Sequence, residues 1–123
     1  MKRIKKYRRG DIVWADLGQH PNSHLLSGMH PCLIVSTDKS RGSIYTVIPG
    51  SSKERKNLLP VHVVAEPDEV HRAVTVKTVF MAEQMTLVDE RQIVTKTGHL
   101  IAREEVFDRV EAAIARQMEV YEK

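Results

Sequence analysis

The chain has little of what several protein classes require. It contains one cysteine, Cys32, so it cannot form an internal disulfide, and the CLIV run around it indicates buried packing. Its six histidines show no recognisable zinc-ligand spacing, which argues against a metal centre. No apolar run approaches the roughly 20 residues of a membrane helix, and no apolar stretch of a secretory signal follows the basic N-terminus. These absences predict a cytoplasmic protein with neither a metal nor another cofactor.

Charge is distributed unevenly along the 123 residues. Six of the 19 lysines and arginines lie in residues 2–9 (KRIKKYRR), so the remaining 13 stand against 16 acidic residues, a net charge of −3. The pI of about 9.1 is therefore due to this one short segment. The length and the 41% hydrophobic content predict a single domain, residues 10–123, preceded by a basic N-terminal arm, residues 1–9.

The hydrophobic pattern predicts five or six short strands followed by one helix. Runs rich in β-branched residues indicate strands at 10–16, 32–35, 44–48, 61–65 and once or twice between 74 and 84. A Pro49-Gly50 pair is expected to end the third strand. Apolar residues then recur every four positions over about 102–120, which is typical of an amphipathic helix. Short strands this close together predict a small barrel or a strongly bent sheet.

Six short motifs follow one another along the chain. They are Arg9-Gly10-Asp11-Ile12-Val13-Trp14, Gly28-Met29-His30-Pro31-Cys32-Leu33-Ile34-Val35, Val47-Ile48-Pro49-Gly50-Ser51-Ser52-Lys53, Leu59-Pro60-Val61-His62-Val63, Ala82-Glu83-Gln84 and Gly98-His99-Leu100. None is specific alone, but together they resemble the MazF/PemK family of type II toxin–antitoxin endoribonucleases over residues 8–120. The resemblance implies an α+β, mainly β fold: an SH3-like small β-barrel with a C-terminal amphipathic helix, the CcdB/MazF/PemK-like toxin fold.

The resemblance also implies a function. We expect a sequence-selective toxin that cleaves single-stranded RNA (mRNA) without a metal ion. Its expected partners are RNA, a second copy of the chain in a homodimer and a cognate antitoxin peptide, with operator DNA bound only through the antitoxin complex. In such a reaction the RNA 2′-hydroxyl is the nucleophile, so the protein has to supply an acid, a base and donors to the phosphate.

Two positions that the family associates with catalysis carry unusual residues. His30 stands where the family usually has an arginine, and Ser51 where it usually has a threonine. Ser51 keeps the hydroxyl, whereas His30 exchanges a permanently charged five-donor side chain for an imidazole, which can serve as acid or base. His30 is therefore either a working catalytic group or the mark of a chain with weak or no cleavage.

Further residues are expected to bind RNA around this pair. They lie in a polar, mostly basic loop at 51–58 and a long loop at 18–31, and comprise Ser52, Lys53, Arg55, Lys56, Ser27 and Gly28. Gln84, at a strand end, can read a base edge through its amide. Tyr7 can stack on an RNA base unless the N-terminal arm is a frayed tail. Trp14 is expected in the core or in a dimer interface. His62 is expected to have a structural role.

Two other functions stay open at this point. One is a catalytically silent barrel that keeps the RNA and antitoxin surfaces. The other is a toxin of the same fold that poisons a topoisomerase, which the GxHP and VIPxSS motifs disfavour.

Overall fold

The computed structural model describes residues 5–39, 42–55, 57–100 and 104–120. In these ranges the elements are β1 (Asp11–Asp16), β2 (Met29–Ile34), β3 (Ile44–Ser51), β4 (His62–Ala65), β5 (Thr78–Met81), β6 (Thr86–Asp89), β7 (Ile93–His99) and α1 (Glu105–Gln117). Short 3-10 turns at Pro67–Val70, Ala82–Gln84 and Glu90–Gln92 lie in the connections between β4 and β7.

The strands form one bent antiparallel sheet. Its order is β4-β5-β3-β2-β1-β7, with β6 paired to β3 outside this path. Strand β3 is the centre, because β2 and β6 both pair with it at Val47 and β5 pairs with its end at Gly50 and Ser51. The predicted class, mainly β with a C-terminal helix, is confirmed. Among the described residues β4 and β7 do not pair, so the sheet does not close into a complete barrel.

Strand β3 runs through Pro49 and Gly50, and the prediction that this pair ends the strand is wrong. Pro49 pairs with Cys32 of β2, and Gly50 pairs with Phe80 of β5. A Cβ atom on Gly50 would lie 2.6 Å from Cγ2 of Thr78 and 3.1 Å from the Phe80 ring. Gly50 therefore allows β5 to approach the strand closely, a use of glycine that local turn propensity does not reveal.

Other boundaries also differ from the sequence prediction. Strand β2 begins at Met29, so His30 lies in a strand and the preceding loop spans residues 17–28; it is called the β1–β2 loop below. Strands β6 and β7 were not predicted, because most of their side chains are at least partly exposed and lack an apolar alternation. Helix α1 is confirmed, although residues 102 and 103 of its predicted range lie outside the described residues.

The sheet buries apolar side chains on both faces. One cluster packs strand residues such as Ile12 against α1, and the other gathers Val13, Cys32 and Tyr45 on the opposite face. Neighbours such as Ile12 and Val13 enter different clusters because successive strand residues point to opposite sides. Cys32 is 0% exposed, so its predicted buried packing is confirmed. This burial raises the pKa of the Cys32 thiol to about 12.

The described part of the basic arm packs onto the domain. Tyr7 is 7% exposed in the second cluster, and its ring meets the Tyr45 ring edge-on with 5.8 Å between centroids. Lys5 Nζ donates to the carbonyl oxygen of Ile44 at 2.9 Å. Residues 5–9 are therefore not a frayed tail, and Tyr7 is not available to stack on a base.

Candidate active site

A pocket of about 380 Å³ opens where β1, β2 and β3 meet the segment from Arg72 to Thr78. His30 of β2 and Ser51 of β3 both line it, together with Ser52 and Lys53 just beyond β3. Because β2 and β3 are antiparallel and Cys32 pairs with Pro49, the next residues outward along the two strands come together. The structure thus brings four of the predicted site residues into one pocket, which is called the His30 pocket below.

His30 is held by backbone carbonyl groups at both ring nitrogens. Nδ1 lies 2.9 Å from the carbonyl oxygen of Gly50, and Nε2 lies 3.0 Å from that of Ser27. A carbonyl oxygen can only accept, so both hydrogen bonds form at once only when both ring nitrogens carry a proton. The ring is fixed between β3 and the β1–β2 loop. To exchange a proton with a substrate it has to release one of these carbonyl oxygens.

Ser51 presents a nearly buried hydroxyl to the same pocket. The residue is 7% exposed, and its Oγ accepts the backbone N–H of Lys53 at 3.2 Å. A hydroxyl that accepts one hydrogen bond keeps its own proton to donate, and a phosphate oxygen is a suitable acceptor. Lys53 is exposed and lines the same pocket, so it contributes a positive charge there.

A second pocket, of about 670 Å³, continues from the first. The two share Ser52, Lys53 and Val76 in their linings. Arg55, a predicted RNA-binding residue, and Lys77, which the sequence did not single out, line the second pocket together with Glu54. Three cations against one carboxylate make this surface locally positive, which suits a phosphodiester chain. Lys56, the remaining predicted cation of the loop, lies outside the described residues.

Gln84 contacts the β1–β2 loop rather than lining either of these pockets. Its Oε1 accepts the N–H of Leu26 at 3.2 Å, and its Nε2 donates to the carbonyl oxygen of His24 at 2.9 Å. Both ends of the amide are thus bonded to the loop backbone. Whether Gln84 reads a base edge stays a prediction.

Ser27 and Gly28 shape the other end of the β1–β2 loop. Ser27 Oγ accepts the backbone N–H of His20 at 2.9 Å, while its carbonyl oxygen contacts His30. Gly28 has a φ of 77° and donates its N–H to the carbonyl oxygen of Gly18 at 2.8 Å. This left-handed conformation favours glycine and turns the chain into β2. Substrate binding by the two residues stays a prediction.

His62 has a structural environment, as the sequence predicted. Its Nδ1 accepts the backbone N–H of Leu59 at 3.0 Å, and its Nε2 lies 2.6 Å from Oε2 of Glu83. An accepting Nδ1 leaves the ring proton on Nε2, where the carboxylate accepts it. Another histidine, His99, contacts the buried Asp11 at 2.6 Å through Nδ1. Neither histidine lines the His30 pocket.

The described ranges contain no group of three or more histidine, cysteine, aspartate or glutamate side chains that could hold a metal ion. Within the same ranges no helix has the length and apolar character to cross a membrane.

Trp14 and Arg72 line the His30 pocket although the sequence did not place them there. Trp14 is 39% exposed, so it does not lie in the core of this chain, and its predicted place in a dimer interface stays a prediction. It shares a face of β1 with Ile12 and pairs with Pro31 of β2, a register that places it near His30 and that the sequence alone does not reveal. Arg72 follows a 3-10 turn, where no periodic pattern indicates the direction of a side chain.

Residues 8–118 match the model of a family described as PemK-like, MazF-like toxin of type II toxin-antitoxin system. Comparison with curated protein sequences gives no match.

Solved structures with a similar fold include MazF from Deinococcus radiodurans, with a TM-score of 0.72 and 18% identity over 93% of this chain and 97% of that chain. A mycobacterial endoribonuclease in complex with its cognate antitoxin has a TM-score of 0.69 and 16% identity over 95% of this chain and 99% of that chain. The Mycobacterium tuberculosis toxin MazF-mt6 has a TM-score of 0.68 and 17% identity over 91% of this chain and 99% of that chain. At these identities the likeness shows the fold alone.

Proposed function

Since this chain belongs to the PemK-like, MazF-like toxins of type II toxin–antitoxin systems, we propose that it is a sequence-selective endoribonuclease toxin acting on single-stranded mRNA. The observation that carries the proposal is the meeting of His30, Ser51 and Lys53 in one pocket that continues into a second, cation-lined pocket. An acid–base group, a hydroxyl donor and a positive charge beside a path for the backbone are the parts that RNA cleavage requires.

The proposed reaction uses the nucleophile that RNA carries. The 2′-oxygen forms a bond to phosphorus while the bond from phosphorus to the 5′-oxygen breaks, so the products are a 2′,3′-cyclic phosphate and a 5′-hydroxyl. A base takes the 2′-proton, and an acid protonates the leaving 5′-oxygen. The Ser51 hydroxyl donates a hydrogen bond to a phosphate oxygen, and Lys53 offsets the negative charge on the phosphate. No metal ion is needed in this scheme because the attacking hydroxyl is already next to the phosphate.

His30 is the proposed acid–base group, and its contacts define what has to happen first. Nε2 has to leave the carbonyl oxygen of Ser27 before it can meet the RNA, and Ser27 belongs to the β1–β2 loop. Substrate that displaces this loop would free the nitrogen at the moment of binding. If the carbonyl oxygens hold the His30 ring permanently, the same contacts favour a second candidate function. This is a silent toxin-like protein that binds RNA and antitoxin without cleaving RNA.

One assay separates these functions. A long single-stranded RNA is incubated in excess chelator with the purified protein and with His30→Arg, Ser51→Ala and Ser43→Ala variants. Ser43 serves as a matched control because its hydroxyl bonds Asp89, away from the His30 pocket. We expect cleavage by the wild type and by Ser43→Ala, and a loss of about 10²-fold in rate for Ser51→Ala.

The His30→Arg variant decides between the two candidates. Cleavage by both this variant and the wild type supports a working His30, whereas cleavage by the variant alone supports the silent protein. Cleavage by neither overturns the ribonuclease assignment, and inhibition of DNA supercoiling would then indicate a topoisomerase poison.

The proposal includes the partners expected of such a toxin. Because one solved relative is in complex with its cognate antitoxin, we propose that an acidic, largely disordered antitoxin peptide covers the positive pockets of a cytoplasmic homodimer. Operator DNA is reached only through that complex. The cations that would attract the peptide are Lys53, Arg55, Arg72 and Lys77. Light scattering on the purified protein tests the dimer, and a monomer at micromolar concentration would contradict it.

A further inference from the structure

Arg72 lies in a strained turn whose neighbours are firmly held. His71 and Arg72 have φ angles of 50° and 61°, a left-handed conformation that is unfavourable for residues with a Cβ atom. The Arg72 N–H donates to the carbonyl oxygen of Pro67 at 2.8 Å, and the Ala73 N–H donates to that of Val70 at 2.9 Å. A strained backbone of this kind persists only where the surrounding structure determines it.

Packing on both sides of the turn fixes its direction. Val70 and Ala73 are 1% and 5% exposed, and both belong to the cluster that contains α1. Ala73 also packs so tightly against β7 that a Cβ on Gly98 would lie 2.6 Å from the Ala73 Cβ. The two buried residues hold the turn against the sheet and leave Arg72 at the rim of the His30 pocket.

The charged side chains that line the His30 pocket make the position of Arg72 significant. Among the described residues that line it, Lys53 and Arg72 carry a permanent positive charge and none is an aspartate or glutamate. His30 lines the same pocket, but its ring nitrogens contact the carbonyl oxygens of Ser27 and Gly50. It therefore offers no free donor in this conformation, and a planar guanidinium is the stronger partner for a phosphate.

Arg72 is also free to change partners. Its guanidinium contacts Asp68 at 2.9 Å, but the two side chains are 75% and 84% exposed. Exposed ion pairs of this kind contribute little free energy. A phosphate entering the His30 pocket can therefore take the place of Asp68 at small cost.

We propose that Arg72 is a catalytic residue that binds the scissile phosphate in the His30 pocket and stabilises the negative charge that develops on it. This inference rests on the proposed ribonuclease function and adds the permanent cation that the family-like motifs of this chain do not supply at position 30. No motif in the sequence indicated this role, because a strained turn brings Arg72 to the site.

The test compares Arg72→Gln, Arg72→Lys and Arg72→Gly with an Arg91→Gln control. Arg91 is exposed in another 3-10 turn and lines neither pocket. We expect Arg72→Gln to lower kcat for RNA cleavage about 10²-fold with a smaller effect on KM, and Arg72→Lys to restore part of the rate. Arg72→Gly relieves the left-handed strain, so it should fold at least as well as the wild type and still be slow. Arg91→Gln should cleave normally.

Binding is measured separately from cleavage. The probe is a mixed-sequence single-stranded oligonucleotide with 2′-deoxyribose, which lacks the nucleophile, and the signal is the fluorescence of Trp14, the single tryptophan of the chain and part of the same pocket. Loss of one phosphate contact in Arg72→Gln should weaken binding and lower the slope of log affinity against log salt by about 1.

The two measurements distinguish failure of the inference from failure of the proposed function. Wild-type cleavage that is unchanged in Arg72→Gln and Arg72→Gly overturns the role of Arg72 and leaves the ribonuclease standing. A wild type that binds the probe through Arg72 without cleaving RNA supports the phosphate site and overturns the cleavage. Absence of both binding and cleavage overturns both.

Discussion

Replacing Gln84 by alanine should release the β1–β2 loop without unfolding the domain. The Gln84 amide makes two hydrogen bonds to the loop backbone, one from the Leu26 N–H at 3.2 Å and one to the His24 carbonyl oxygen at 2.9 Å. These side-chain hydrogen bonds join the Ala82–Gln84 turn to a loop in which half of the residues are exposed. Segments of this kind open locally with a free energy well below that of global unfolding.

The size of the effect follows from these two contacts. A single hydrogen bond contributes about 0.5–1.5 kcal/mol net, and both groups become accessible to water when the loop opens. Losing the pair should therefore lower the free energy of loop opening by about 1–2 kcal/mol, which is about a 5–30-fold change in the opening equilibrium. Because both bonds are made in the native state, their loss also lowers the free energy of global unfolding by about 1–2 kcal/mol. The midpoint of thermal unfolding should therefore fall by a few degrees, while the apolar clusters, which do not depend on Gln84, keep the domain folded.

Native-state hydrogen exchange measures this opening at the Leu26 amide. A matched control is Gln92→Ala, since the side-chain amide of Gln92 also makes two hydrogen bonds. It accepts the Asp89 N–H and donates to the Asp16 carbonyl oxygen, both at 2.8 Å. We expect faster exchange at Leu26 in Gln84→Ala and unchanged exchange there in Gln92→Ala. Equal protection of Leu26 in the wild type and in Gln84→Ala would refute the idea that this amide holds the loop.

Three further outcomes follow from the packing. Gly98→Ala should lose about 1–3 kcal/mol of stability because its Cβ would lie 2.6 Å from that of Ala73, and adding Ala73→Gly should restore most of the loss in urea unfolding. Phe107→Ala should lose about 3–5 kcal/mol, since this ring is 2% exposed. Met118→Ala, at the residue that follows α1 and is 57% exposed, should change stability by less than about 0.5 kcal/mol, and equal losses would contradict the burial of Phe107. Burial raises the pKa of Cys32 from 9.0 to about 12, so at pH 8 a thiol reagent should label the unfolded chain rapidly and the native protein hardly at all. Rapid labelling of the native protein would show that the thiol is accessible.

The local sequence pattern was sufficient to predict those elements in which a continuous apolar run or one apolar helix face is visible. The apolar runs around Ile12, Cys32 and Val47 predicted three strands, and these strands form the centre of the sheet. The four-residue spacing of Val106 and Val110 predicted helix α1, and both residues are 1% exposed. The ordered motifs were sufficient to indicate the toxin family, which the family match over residues 8–118 shows.

Strands without such a signal were missed. In β7 Ile93 is buried and the other six residues are at least partly exposed, so the strand shows no apolar alternation. It forms because β1 offers a complementary edge. Similarly, β3 continues through Pro49 and Gly50 because neighbouring strands pair with those positions. Pairing partners distant in sequence override local propensity in both cases.

The sequence by itself determined the residue types of the candidate site, since the motifs containing His30 and Ser51 were visible in it. Only the tertiary structure decided that these residues share a pocket and that Arg72 also lines it. It also decided that the carbonyl oxygens of Ser27 and Gly50 contact the two ring nitrogens of His30. The reason is physical. Periodicity specifies which face of its own element a side chain occupies, whereas a site depends on the register between strands and on turns held by packing against distant residues.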